Sequence, residues 1–162
     1  MKIDQLLDDV RDREAELARR LRTVAERHAA EHDVYHLGHS QAHACGQRIE
    51  QLAPHAQRYG AAERTAPPAQ SPGLLEEVRH KGAELLGRSK ASGQLLLTDL
   101  RTLYLDAQAN ELAWVILLQA TQAVRDPDLL DTATECHERA TMCAKWIRTR
   151  IKEAAPQVYA AG

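Results

Sequence analysis

The chain has 162 residues, 44% hydrophobic and 27% charged, which fits one globular domain over 1–162 and excludes a disordered chain. The formal net charge is -2 with no concentrated basic stretch, so nucleic acid is not an expected partner. No apolar run reaches the ~18 residues of a membrane span, and no signal-peptide apolar block opens the chain, so no membrane partner is expected either. Three cysteines without metal-finger spacing point to a reduced, cytoplasmic protein. With aromatic residues at 4% and no Phe, the core must rest on Leu, Ile, Val and Ala.

Gly and Pro punctuate the sequence sparingly. The first stretch, about 3–31, carries Ile3, Leu6, Leu7, Val10, Leu17, Leu21 and Val24 at alternating steps of three and four, which places them on one helical face. A break at His32–Asp33 turns the chain back, with Asp33 as the expected N-cap of a second helix over 33–59 and Gly60 at its C′ position. Small residues dominate the first half of that helix, so a neighbour can approach closely there. Pro54 is expected to kink or shorten it.

Residues 60–93 form a long connection, with Ser71-Pro72 opening a short helix that ends near Gly87. Two more long helices follow, over 94–125 and 127–155, the latter opened by the cap-and-N1 pair Asp126-Pro127 and closed before Pro156. No strand pattern competes, so the fold class is all-α. The expected architecture is a four-helix bundle of two antiparallel hairpins joined by a crossover that contains its own short helix, between helices two and three.

Several polar residues fall on the apolar faces. At 100° per residue, Glu14 lies between Val10 and Leu17 and His28 extends the same stripe; Glu111 lies near the centre of the third stripe, with Asn110 at its edge. His137 centres a fourth-helix stripe of Leu130, Ala133, Ala144, Ile147 and Ile151, with Thr134 and Thr141 beside it. Carboxylates in a core are costly unless paired, hydrogen-bonded or metal-bound. Glu14, Glu111, His137 and His28 are therefore candidate ligands of a core metal site. The plainer readings are an ion-paired network, for instance Glu14 or Glu111 with His137 or Arg148, or a helix phase that leaves the carboxylates at the solvent edge.

With these features the chain resembles the ferritin-like superfamily: two helical hairpins, a long crossover, and mid-helix carboxylates on the first and third helices. The stretches AERHAAEHDVYHLGHS, TDLRTLYLDAQANELAW and WIRTRIKEAAPQ resemble small bacterial ferritin-like proteins of unknown role. The resemblance implies a di-iron motif in which Glu14 and Glu111 match the lone glutamates and His137 the last histidine. The motif is incomplete, because Thr134 stands three residues before His137, and Ala42 and Cys45 stand where the second helix should offer Glu-x-x-His. The implied protein is a non-catalytic binding or structural bundle with a degenerate metal site. Its alternative is an Fe-, Mn- or Zn-binding redox or storage protein using Glu14, Glu111 and His137.

Five of the eight histidines lie between residues 28 and 43. His32, His36, His39 and His43 share one helical face, roughly opposite Val34, Ala42, Cys45 and Ile49, and are expected on the solvent side. Neutral imidazoles at i, i+4 suit Zn²⁺, Ni²⁺ or Cu²⁺, so this stripe is a second candidate metal site, with a solvated polar face as the plain reading. Hemerythrin-like His-x-x-x-Glu spacing is absent from the inward faces. No Gly-rich phosphate loop, Ser/His/Asp order or nucleophile elbow occurs, so acyl and phosphoryl transfer have no support and a non-enzyme is the expectation. Cys136 and Cys143 are expected on a flank of the fourth helix and Cys45 on the second helix's core face, all without chemistry.

The third helix carries a second apolar stripe, Leu105, Ala109, Leu112, Ala113, Ile116, Ala120 and Ala123. A helix apolar all round is buried all round. The crossover helix near Leu74–Leu86 could cover part of this face and a second copy the rest, which predicts a homodimer, or an interaction protein that works through that face. Met142 and Trp146 are expected to add a small exposed apolar spot.

Overall fold

The structure, a computed structural model, describes residues 2–66 and 90–160. Nearly all of them lie in four helices: α1 (Ile3–Arg27), α2 (His32–Arg58), α3 (Lys90–Val124) and α4 (Pro127–Tyr159). No strand occurs among the described residues. Each helix hides a stripe with alternating steps of three and four. α1 buries Leu7, Val10, Glu14, Leu17 and Leu21; α3 buries Leu103, Ala107, Asn110, Trp114 and Leu117; α4 buries Leu129, Ala133, Cys136, Ala140 and Cys143. Removing such stripes from water, at roughly 25 cal/mol per Å² of apolar surface, drives the four helices together.

The partners across each seam show how the helices run. α1 packs on α2 and α3, while α4 packs on α3 and, more sparsely, on α2. Along α1, Glu14, Arg20 and Arg27 meet Asn110, Asp106 and Asp99 in turn, so α1 and α3 are antiparallel. Asp33, Gln51 and His55 of α2 likewise meet Arg150, Cys136 and Thr132 of α4. The chain after α2 turns back along α1, where Arg11 donates to the Ala62 carbonyl at 2.7 Å and Arg64 pairs with Asp12 at 2.8 Å. Close approach of α1 and α2 depends on Gly38, because a Cβ there would lie 2.9 Å from that of Ala25.

Helix ends follow local chemistry. Asp126 caps α4, its side chain accepting from the Leu129 amide at 3.1 Å with Pro127 behind it, as the sequence predicts. Gly60 adopts φ +69 after α2, and the Gly60 and Ala61 amides close back onto Gln57 and Ala56, a Schellman ending. Arg125 takes the same left-handed position after α3 with φ 55, and the Arg125 and Asp126 amides reach Gln122 and Thr121.

Other ends correct the sequence reading. α1 stops at Arg27, and Glu31 rather than Asp33 occupies the N-cap of α2 without a side-chain bond. α3 starts at Lys90, ahead of the expected 94. α2 runs through Pro54 and α4 through Pro156. Both prolines are on exposed positions, where water can satisfy the carbonyl that each leaves unbonded. The short helix expected over 72–87, and its covering of α3, lie outside the described residues.

Candidate functional site: a buried polar layer

A polar layer divides the core in two. On one side lie Leu17, Leu21, Cys45, Leu103 and Cys143; on the other lie Leu7, Val10, Leu52, Trp114 and Leu117. Between them, Glu14 of α1 is fully buried, as is Arg48 of α2. The pair is bidentate: Arg48 Nε donates to Glu14 Oε1 at 2.7 Å and Nη2 donates to Oε2 at 2.9 Å. Glu14 Oε1 also accepts from Asn110 Nδ2 at 3.1 Å and Trp114 Nε1 at 2.7 Å, both on α3. Three helices thus converge on one carboxylate.

The electrostatics of the layer follow from burial and pairing. Burial opposes the charge on Arg48, but attraction and hydrogen bonding to Glu14 outweigh it, so its pKa is raised and it stays a cation. Charge-assisted, two-pronged bonds of this kind tolerate a low-dielectric setting that neither ion would enter alone. Cys45 Sγ lies 3.2 Å from Arg48 Nη2. Burial pushes the Cys45 thiol well above its usual value. It pushes those of Cys136 and Cys143 up to about 12, against a smaller opposing pull from Arg48. All three are free, buried thiols, and with pKa values this high they carry almost no thiolate near neutrality.

The predicted core ligands are dispersed. Glu14 is in the layer just described, with both oxygens engaged. Glu111 and His137 meet at the α3–α4 seam, half-buried, with His137 Nε2 3.7 Å from Glu111 Oε1. Thr141 donates to the same oxygen at 3.1 Å. His28 Nε2 faces Asp99 at 2.7 Å, and Asp99 also holds Arg27. Among the described residues, no three His, Cys, Asp or Glu side chains stand close enough together to hold a metal ion. The four residues placed in one core site by periodicity therefore belong to three separate contacts.

The displacement has a physical origin. α3 is apolar on most sides, so its stripe has no sharp phase; Asn110 faces inward and Glu111 lies half-buried at the seam, the reverse of their expected order. On α4 the buried stripe runs through Leu129, Cys136 and Cys143, which moves His137 to the flank and brings Cys136 and Cys143 off it. Trp146 is partly buried against the core, whereas Met142 is 66% exposed as expected. Arg48 was missed, although its position between Cys45 and Leu52 on the α2 stripe is the same signal that singled out Glu14.

The histidine run is on the surface side. His32, His36 and His43 are exposed, while His39 is half-buried and bonded through Nε2 to Glu26 Oε1 at 2.6 Å. None of the described helices is long and apolar enough to cross a membrane. Compared with family models, curated proteins and solved structures, the chain matches none.

Proposed function

We propose that the chain is a ferritin-like helical bundle with a non-catalytic binding or structural role, in which a guanidinium occupies the place of a core metal. The observation that carries this reading is the saturation of Glu14. Its two oxygens accept four hydrogen bonds from Arg48, Asn110 and Trp114, so Arg48 supplies the positive charge that a buried carboxylate needs. The antiparallel pairing of α1 with α3 supports a ferritin-type crossover, because it sets the end of α2 and the start of α3 at opposite ends of the bundle.

Elemental analysis tests the reading. Protein made in iron-, manganese- and zinc-supplemented medium is compared with a Glu14→Ala variant and a Glu111→Ala/His137→Ala variant. The expected result is no near-stoichiometric metal that depends on Glu14, Glu111 or His137. Stoichiometric metal lost in either variant would overturn the proposal and favour the redox or storage alternative.

A second reading, favoured by a separate observation, gives the role to the outer face of α3. Leu105 is 60% exposed, Leu112 59% and Ile116 48%, an apolar seam continued by Ala109 and Ala123. From Ala107 to Val124 the only charged residue is Glu111, which bonds Gln108 and Thr141. An uncharged seam with steps of four and three suits a self-complementary homodimer contact.

A further inference from the structure

The geometry points to a surface site for a borderline divalent transition cation, Zn²⁺, Ni²⁺ or Cu²⁺, formed by His32 and His36 at the start of α2. The two imidazoles stand one helical turn apart, with ring centroids 6.4 Å apart and planes within 11° of parallel. Both residues are exposed, and no hydrogen bond or ion pair engages either ring among the described residues. With metal–nitrogen bonds of about 2.0–2.1 Å, two imidazoles on a tetrahedral ion place their centroids about 5 Å apart. The near-parallel rings do not yet aim their in-plane lone pairs at one point, so chelation requires both side chains to turn about χ1 and χ2 as well as close by about 1–1.5 Å, rotations open to exposed histidines.

The same contacts narrow the four-histidine stripe to this pair. His39 is committed to Glu26 at 2.6 Å, and the Tyr35 ring lies edge-on to both His36 (5.1 Å) and His39 (4.8 Å), separating the pair from the rest of the stripe. The positive end of the α2 macrodipole works against a cation here. Glu31 and Asp33, flanking His32, add negative charge at the first turn, that of Asp33 shared with Arg150 at 3.6 Å. Neutral imidazole is the ligand, and two water molecules complete a four-coordinate ion.

Calorimetric titration of the tag-free chain with Ni²⁺ and with Zn²⁺ as chloride salts tests the site. The expected result is one site of micromolar affinity, weakened at least tenfold in both His32→Gln and His36→Gln and within twofold of the parent in His39→Gln and His43→Gln. All four side chains are exposed or half-buried, and a far-ultraviolet circular dichroism spectrum matching the parent's shows that each variant is folded. Equal weakening in all four variants would overturn the two-residue site in favour of diffuse binding along the stripe. Affinity unchanged in His32→Gln and His36→Gln would overturn it outright, and so would metal that leaves only with Glu14→Ala, which instead contradicts the reading of the core.

Discussion

The side chain with the largest consequence is Arg48. Its removal strands Glu14 as a buried carboxylate with only the two neutral donors of Asn110 and Trp114. Breaking one partner of such a pair costs about 3–5 kcal/mol, whereas removing both charges together is far less costly. Arg48→Met is therefore expected to lower the unfolding free energy by about 3 kcal/mol or more in urea titration. Glu14→Leu/Arg48→Met is expected to lose less than the sum of the two single changes by about 2 kcal/mol or more. The double variant does not return fully to the parent, since the Asn110 and Trp114 donors then lack their acceptor. Additive losses would show that the pair is not energetically coupled.

At the level of the elements, two helix ends carry separable predictions. Arg125 holds the left-handed position after α3 that Gly60 holds after α2, and a side chain in that conformation costs about 1 kcal/mol relative to Gly. Arg125→Gly is expected to raise stability by about 0.5–1 kcal/mol, read as a shift of the urea midpoint without a change in slope. A loss of stability would mean that its side chain contributes more than the strain removes.

The second end joins α2 to the start of α4 through His55, Arg58, Tyr59, Asp126 and Thr132. Arg58 donates to His55 Nδ1 at 3.1 Å, which leaves Nε2–H to donate to Thr132 at 3.0 Å. Burial, and then the Arg58 charge, lower the His55 pKa against a weaker opposing pull from Asp126 and Asp128. A lowered base is bound in its neutral form, so its contribution is complete above about pH 6.5 and is lost as pH falls from there through the folded-state value. Asp126 acts lower on the scale. Burial pushes its carboxyl up, but hydrogen bonds from Tyr59, the Leu129 amide and Arg58 hold it below the usual value. Its contribution is present above about pH 4 and is lost as pH falls further. Unfolding free energy measured between pH 7 and 5 is expected to fall less steeply in His55→Gln than in the parent. An identical slope in the two proteins would remove His55 from the account.

For the whole molecule, the outer face of α3 governs the expected assembly. Ile116 is central to the exposed seam, away from the Glu14 layer and from His32 and His36. Ile116→Asp places a charge where two copies would meet, and desolvating it without a partner opposes association. The parent is expected to sediment as a dimer at micromolar concentration and Ile116→Asp as a monomer with an unchanged helical spectrum. A parent that stays monomeric would instead leave this face to a different partner or to another segment of the chain.

Much of this molecule was legible in its residues because local rules operate over one or two helical turns. Alternating apolar steps gave the approximate span of the four described helices, Asp126-Pro127 marked the start of α4, and Gly60 marked the end of α2. The same periodicity brought Glu14 into the core and set His32 and His36 against solvent. What only the tertiary structure decided was which of two adjacent residues faces inward on α3 and α4, and which charge answers Glu14. A one-residue error turns a helix by 100°, enough to exchange Asn110 for Glu111 and Cys136 for His137, and an apolar helix such as α3 offers no polar face to fix its rotation. Packing against α1 sets that rotation and turns Asn110 and Trp114 of α3 to Glu14, while α2 brings Arg48 to the same carboxylate.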